Sequence, residues 1–341
     1  MLKRGIFLMM IFLLCAGGCD AWPGESGATA EEELPREGLV LPEPPHLPPE
    51  AGEVRIGTLY YADAGFRFLV PVTREIPYTE AIARATLQRL VGTPELSSLL
   101  SEVGLAAVIP EDTAIHGIAV DEDGLARVDF SPELLNYPPE QERLVLGSIL
   151  CTLRQFPSIQ QVAILIEGAA PERFSSGAPG TTPLGPECWI NLEIEEGVTD
   201  YRQYSAVRLF FCYPAPNGWI FYVPVTRILP PVDDLFAAVI AELLRGPRRG
   251  SGLFSQIPPD TALLNYTLEE GLATIDFSRH LLDYEGGKTG AANLLNQILL
   301  TLSELEEVKE VQVLVEGEKV VRSGELDLQG PLTPPPVYNF M

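Results

Sequence analysis

Val54-Arg55-Ile56 begins a segment that runs to Val70-Pro71-Val72-Thr73-Arg74, and Val207-Arg208-Leu209 begins another that runs to Val223-Pro224-Val225-Thr226-Arg227. The two segments lie 153 positions apart. A period this long exceeds the roughly 20–50 residues of a solenoid unit, so the pattern indicates a duplicated domain. The question of function therefore becomes what one such domain does and why the chain carries two.

Two more motifs repeat in the same order. Gly124-Leu-Ala-Arg-Val-Asp-Phe-Ser131 is matched by Gly271-Leu-Ala-Thr-Ile-Asp-Phe-Ser278, and Val162-Ala-Ile-Leu-Ile-Glu-Gly168 by Val311-Gln-Val-Leu-Val-Glu-Gly317. Alternating apolar residues bounded by turn residues predict strands, and helical spacing predicts two helices in each copy, in the order β-β-α-β-β-α-β. We therefore expect an α+β fold: two tandem domains, each a mostly antiparallel sheet with helices on one face.

Composition divides the chain into six predicted parts. They are a lipoprotein signal peptide (1–18), a Pro-rich tether (19–52), a first domain (53–170), a connector (171–205), a second domain (206–320) and a tail (321–341). The connector has an extra strand-like stretch at Trp189 to Ile194. The end of the tail is rich in proline, so we expect the tail to dock loosely or not at all. Thr79 and Asp233 are the predicted N-caps of the first helix in each copy.

The N-terminus carries a secretion signal. Lys3 and Arg4 precede an apolar run of about ten residues, and small residues then lead to Cys19. The run is too short for a transmembrane helix and is typical of a cleaved signal peptide. A cysteine at this place is typical of a bacterial lipobox, in which the thiol is acylated, for example with palmitate. We therefore predict a lipid anchor on Cys19 at the extracytoplasmic face of the cell membrane; the alternative is an ordinary secretory signal with an incidental cysteine.

The charge of the chain excludes some partners. The formal net charge is −24, and it becomes more negative when Lys3 and Arg4 leave with the signal. So acidic a protein is repelled by nucleic acid phosphates and by anionic lipid head groups. We therefore expect no nucleic-acid partner, and membrane contact through the lipid alone.

The cysteines do not form a disulfide framework. Three remain once the signal peptide and the anchor are set aside: Cys151, Cys188 and Cys212. An odd number leaves at least one thiol unpaired. Cys151 lies in an apolar helical run and is expected to be a small buried side chain, while a bridge between Cys188 and Cys212 stays open.

No catalytic or metal-binding pattern repeats. The three histidines, His46, His116 and His280, do not align between the copies and share no metal-ligand spacing. There is no phosphate loop and no nucleophile elbow. We therefore predict no enzyme activity, no cofactor and no metal, although sequence leaves open a pair of glycosidase carboxylates. The repeated Asp129 and Asp276 are interpreted as structural, because no histidine repeats beside them.

Four residues are candidates for contact with a partner. Arg74 and Arg227 end the repeated Val-Pro-Val-Thr-Arg, and Glu167 and Glu316 end the last strand of each copy. The alternative for each arginine is an ion pair with a local carboxylate near the start of the following helix. The alternative for each glutamate is a strand end followed by a turn glycine.

The order of these motifs, found twice, resembles the GerM domain family. Each copy has Val-Pro-Val-Thr-Arg, a helix ending in Gly-x-Pro or Gly-Pro, and Ile-Pro-x-Asp-Thr-Ala. Each copy then has Gly-Leu-Ala-x-(Val/Ile)-Asp-Phe-Ser and a closing strand ending in Glu-Gly. The resemblance covers residues 54–168 and 207–317 and suggests a tandem GerM-domain lipoprotein.

The resemblance implies a fold akin to the ring-building domains of sporulation and secretion machines. It also implies a role in sporulation or germination, through binding of envelope or sporulation-complex proteins. The family supplies no catalytic residues. We therefore expect a non-enzymatic, membrane-anchored interaction protein; the alternative is a protein that binds or modifies peptidoglycan.

Overall fold

The structure is a computed structural model that describes residues 53–185, 189–198, 203–320 and 326–341. The predicted signal peptide, Cys19 and the tether lie outside the described residues, as does Cys188.

The first repeat opens with a long hairpin and continues with short helices and strands. Its elements are β1 (Val54–Asp63), β2 (Leu69–Pro77), α1 (Ile82–Gln88), α2 (Pro94–Glu102), β3 (Leu105–Ala106), β4 (Ile115–Val120), β5 (Leu125–Phe130), α3 (Glu142–Leu153) and β6 (Gln161–Ile166). Two 3-10 turns, Pro132–Leu135 and Pro139–Gln141, precede α3.

The second repeat has the predicted order without additions, whereas the first repeat adds α2 and β3. After the connector strand β7 (Glu193–Ile194) come β8 (Ser205–Pro214), β9 (Ile220–Leu229), α4 (Leu235–Arg245), β10 (Leu263–Glu269), β11 (Leu272–Phe277), α5 (Gly287–Leu302) and β12 (Glu310–Val315). A 3-10 turn at Arg279–Asp283 precedes α5. The predicted α+β class is confirmed.

The strands of each repeat form two small sheets. In the first repeat the orders are β2-β1-β3 and β4-β5-β6, and in the second β7-β9-β8 and β10-β11-β12. The long hairpins are antiparallel, but β6 and β12 run parallel to β5 and β11. They do so because a helix, α3 or α5, crosses over before each of them.

The repeated Gly-Leu-Ala-x-x-Asp-Phe-Ser motif forms the central strands β5 and β11. Its alternate apolar residues point into the core, and Phe130 and Phe277 are fully buried. This alternation is the pattern expected for a strand with one buried face.

The two repeats share part of their core. Tyr213 and Phe221, from the long hairpin of the second repeat, belong to the cluster that contains the first repeat's core. The ring of Tyr213 meets Phe68 edge-on at 5.2 Å, and its hydroxyl donates to the carbonyl of Gly104 at 2.8 Å. The repeats therefore pack against each other through buried side chains.

The expectation of a loosely docked tail is wrong. Leu326 and Leu328 are fully buried, and Asn339 and Met341 are each 4% exposed. The backbone N–H of Thr73 donates to the carbonyl of Asn339 at 2.9 Å. Proline prevents a regular helix or a central strand, but it does not stop the apolar and amide side chains beside it from finding buried partners.

The cysteines also differ from the expectation. Cys151 is buried as predicted, but it is disulfide-bonded. Cys212, among the described cysteines, is free and fully buried, and burial raises the pKa of its thiol to about 12. A bridge between Cys188 and Cys212 is therefore excluded.

Candidate functional site

Arg227, a predicted contact residue, lies inside the protein. It sits on β9 with 1% of its surface exposed. Its Nε donates to Glu193 at 2.9 Å and its Nη1 to Glu242 at 2.6 Å, while Nη2 donates to the carbonyl of Gly246 at 3.2 Å. The guanidinium thus joins the connector strand β7 to α4.

Two further arginines, both with exposed side chains, complete this ion cluster around the buried Arg227. Nη1 of Arg245 and Nη2 of Arg248 each lie 2.9 Å from a carboxylate oxygen of Glu195. Burial alone would raise the pKa of Glu195, but the hydrogen bonds from Arg248 and Arg245 outweigh it and hold the pKa below its ordinary value. The cluster balances three arginines against Glu193, Glu195 and Glu242. Arg227 is therefore ion-paired, as the alternative considered from sequence expected, but its partners lie in the connector and near the end of α4 rather than near the start of that helix.

Arg74, the equivalent residue of the first repeat, is also buried, with 8% of its surface exposed. It lies on β2 beside Tyr61, whose hydroxyl donates to the carbonyl of Arg89 at 2.9 Å. Burial raises the pKa of Tyr61, although the charge of Arg74 opposes the shift. Neither repeated arginine offers much surface to a partner, a fact that sequence reasoning missed because arginine is rarely buried.

Glu167 and Glu316 lie at the surface. Both adopt the left-handed conformation, with φ of 51° and 53°, and each is followed by a glycine with φ of 79°. They form tight turns after β6 and β12, and the side chain of Glu167 is 63% exposed beside His116, at 3.2 Å. The two glutamates occupy equivalent exposed positions, and they stay predicted contact residues.

The repeated Asp-Phe-Ser motif holds these turns in place. Oδ1 of Asp129 accepts from the N–H of Gly168 at 2.7 Å, and Oδ1 of Asp276 accepts from that of Gly317 at 2.8 Å. The serine hydroxyl two residues later also accepts a backbone N–H in each repeat, at 2.9 and 3.0 Å. The polar atoms of the motif are thus used to order backbone.

A cleft of about 540 Å³ lies between the two repeats. Its walls include Tyr60 of β1, Arg208 of β8, Glu304 just after α5, Tyr338 of the tail and Trp189 of the connector. Sequence reasoning missed this group, because its members are far apart in the chain and belong to no repeated motif. The volume lies within the range of small-molecule sites.

Two ionisable groups of the cleft, Arg208 and Glu304, neutralise each other. Arg208 Nη1 and Glu304 Oε2 form an ion pair at 2.9 Å. Burial raises the pKa of Glu304, although Arg208 opposes the shift. Burial also raises the pKa of Tyr60 to about 12 and raises that of Tyr338. Both phenols are protonated at neutral pH, so the cleft presents hydrogen-bonding groups and an internal ion pair rather than an activated nucleophile.

Two features that would indicate other functions are absent from the described residues. Within residues 53–341, apart from the stretches that the structure does not describe, no three His, Cys, Asp or Glu side chains are placed to hold a metal ion. In the same part of the chain, no helix has the length and the apolar character needed to cross a membrane.

Comparison with known proteins identifies relatives over both repeats. The model of the Germane family, described as sporulation and spore germination, matches residues 58–172 and 210–321. The spore germination protein GerM of Bacillus subtilis (strain 168) is 33% identical over 297 residues, which cover 85% of this chain and 80% of that protein.

A solved structure shows the same fold. The tandem GerMN domains of the sporulation protein GerM from Bacillus subtilis match with a TM-score of 0.67 and 31% identity, covering 84% of this chain and 99% of that one.

Proposed function

The chain belongs to the Germane family of sporulation and spore germination domains, and on that premise we propose that it is a non-enzymatic interaction protein of the cell envelope. It is held at the extracytoplasmic face of the membrane by a lipid on Cys19, and it binds envelope or sporulation-complex proteins through the surface of its two repeats.

The observation that carries this proposal is the family match over both repeats together with the tandem fold. The non-enzymatic part is supported by the repeated Asp-Phe-Ser motif. Its carboxylate and hydroxyl bind backbone N–H groups in both repeats, so these side chains are occupied in holding turns.

The anchor is tested by changing Cys19→Ser in cells. We expect the wild-type chain in the membrane fraction with a mass increase from the lipid, and the variant without that mass and free of the membrane. A variant that stays in the membrane fraction would contradict anchoring through Cys19.

The binding role is tested by crosslinking in intact sporulating cells, with Glu167→Lys and Glu316→Lys as variants. Both glutamates are exposed at equivalent turns, so charge reversal should weaken a contact without unfolding the chain. Glu122→Lys, at another exposed turn, is the matched control. Crosslinked envelope proteins that are lost in both variants but kept in the control are the expected result; no crosslinked envelope protein in the wild type would overturn the proposal.

The second candidate function is binding or modification of peptidoglycan. It is favoured by the cleft between the repeats, where Trp189, two tyrosines and an ion pair form a polar and aromatic wall. Sedimentation with purified peptidoglycan and analysis of released fragments separate the two candidates. Two results together would favour a function in peptidoglycan binding: Trp189→Ala weakens binding to peptidoglycan, and no envelope protein is crosslinked in cells.

A further inference from the structure

β2 of the first repeat and β9 of the second face each other along a line that we call the seam. Each strand carries the proline of the repeated Val-Pro-Val-Thr-Arg, Pro71 and Pro224. Proline has no N–H, so it cannot donate a hydrogen bond to a neighbouring strand. The two strands are instead linked by side chains that come from outside both hairpins.

Asn339 of the tail makes the first link. Its side-chain oxygen accepts from the N–H of Tyr222 at 2.8 Å, and its Nδ2 donates to the carbonyl of Tyr222 at 2.8 Å. Nδ2 also donates to the carbonyl of Pro71 at 2.7 Å. One buried amide therefore binds both repeats at once.

Asn191 of the connector makes the second link in the same way. Its side-chain oxygen accepts from the N–H of Leu69 at 2.7 Å, and its Nδ2 donates to the carbonyl of Leu69 at 2.7 Å. Nδ2 also donates to the carbonyl of Pro224 at 2.8 Å. In this link the N–H and C=O belong to the first repeat and the proline carbonyl to the second, which is the reverse of the first link.

The two links are related by the duplication. Leu69 and Pro71 lie 153 positions before Tyr222 and Pro224, which is the offset of the repeats. Both asparagines have positive φ, 52° and 53°, a conformation that asparagine tolerates better than most residues. A side-chain amide has one acceptor and two donors, which matches the N–H and C=O of one residue and the C=O of the facing proline.

The tail backbone continues the contact. Thr73 donates its N–H to the carbonyl of Asn339 at 2.9 Å and its hydroxyl to the carbonyl of Tyr338 at 2.7 Å. Its own carbonyl accepts from the N–H of Met341 at 2.9 Å. The tail therefore binds β2 as an added strand does, by main-chain hydrogen bonds with a buried side chain for specificity.

We propose that the seam is a peptide-binding site, and that the tail segment Tyr338–Met341 is its ligand within the same chain. The class of ligand is a short segment with an asparagine in the left-handed conformation between two aromatic side chains. The bound tail, together with the shared core and Asn191 of the connector, holds the two repeats at one relative position. A partner segment of the same chemistry would compete for the seam.

The test uses the full chain with a protease site inserted between Gln329 and Gly330, at a bend where Gln329 is exposed. After cleavage, we expect the fragment that starts at Gly330 to stay bound through gel filtration. We expect the same fragment with Asn339→Ala to dissociate at least about tenfold faster, because three buried hydrogen bonds are lost. Asn136→Ala, which changes an exposed asparagine, is the control and should behave as the wild type.

A synthetic peptide of residues 330–341, labelled for fluorescence anisotropy, should then bind the protein depleted of its own tail. The same peptide with Asn339→Asp should bind at least about tenfold more weakly, because a carboxylate places oxygen against the two carbonyls that the amide serves. Equal binding of the two peptides, or equal retention of the wild-type and Asn339→Ala fragments, would overturn the proposal.

Amide exchange in the uncleaved chain covers the case in which cleavage damages the fold. Asn339→Ala should speed hydrogen exchange at the N–H of Tyr222, and Asn191→Ala at that of Leu69. Unchanged exchange at both amides would likewise count against the seam as a binding site.

Discussion

At the scale of single residues, the repeated polar side chains serve the backbone. Asp129 and Asp276 accept hydrogen bonds from backbone N–H groups of the exposed turns after β6 and β12. An Asp and a Ser two residues apart in a sequence suggest nucleophilic catalysis. In both repeats of the structure, these two side chains instead accept hydrogen bonds from backbone N–H groups of neighbouring segments.

Replacing Asp129 tests this role. We expect Asp129→Ala to lower the free energy of unfolding by about 0.5–1 kcal/mol, because the exposed N–H of Gly168 loses its acceptor and bonds to water instead. Asp129→Asn keeps an oxygen at this place and should cost less than half as much. Urea unfolding of the two variants checks the expectation, and equal losses would mean that the negative charge itself is required.

Glu195 links stability to pH. Its pKa in the folded protein lies below its ordinary value of 4.5, so the unfolded chain takes up the proton first as the pH falls. The stabilisation is therefore present above about pH 4.5 and is lost as the pH falls through the folded-state pKa. Glu304, whose pKa is raised by burial, acts in the opposite direction.

The variant Glu195→Gln isolates this contribution. We expect it to be less stable than the wild type at pH 7, and we expect the difference to shrink as the pH is lowered toward 3. Thermal melts across that range measure it. A difference that does not change with pH would show that the charge of Glu195 contributes nothing to folding stability.

At the scale of elements, helix starts illustrate how close sequence reasoning comes. α4 begins at Leu235 with Asp234 as its N-cap, whose side chain accepts from the N–H of Ala237 at 2.9 Å. The prediction of Asp233 was therefore wrong by one residue. In the first repeat the N-cap of α1 is Ala81, so the prediction of Thr79 was also wrong. The hydroxyl of Thr79, two residues before Ala81, accepts a hydrogen bond from the N–H of Ala81. Adjacent polar residues satisfy the same sequence rule, and only the path of the chain selects one of them.

Asp234→Ala should therefore destabilise the protein by about 1–2 kcal/mol, because a capping acceptor is lost. The hydroxyl of Tyr266 also donates to this carboxylate, and Tyr266 stacks on Phe236 at 4.9 Å, so β10 should loosen as well. Asp233→Ala is the matched control and should leave the melting temperature unchanged. Equal effects of the two substitutions would contradict Asp234 as the N-cap of α4.

At the scale of the whole molecule, the two repeats share buried surface. Tyr213 and Phe221 complete the core of the first repeat, and the two asparagines of the seam bind both hairpins. Two independent modules joined by a flexible linker would gain effective concentration at a repetitive partner. Repeats that are packed together instead present one composite surface, so a single partner can contact both at once.

We therefore expect the two repeats to unfold in one cooperative transition. Far-UV circular dichroism follows both repeats, and the fluorescence of Trp189 and Trp219 follows the region where they meet. Coincident urea curves from the two probes are the expected result, because the core of the first repeat is completed by residues of the second repeat's hairpin. Two separate transitions would mean that the repeats fold independently.

The sequence by itself determined the duplication, the α+β class, the family and the order of the strands and helices that both repeats share, because these depend on local periodicity and on motifs that lie close together in the chain. Only the tertiary structure decided that Arg74 and Arg227 are buried, that Cys151 rather than Cys212 is in a disulfide, and that the tail binds the seam. Each of these depends on which distant groups supply a countercharge, a second thiol or a hydrogen bond. Such partners lie up to 268 positions away, as Asn339 does from Pro71, and no local pattern records them.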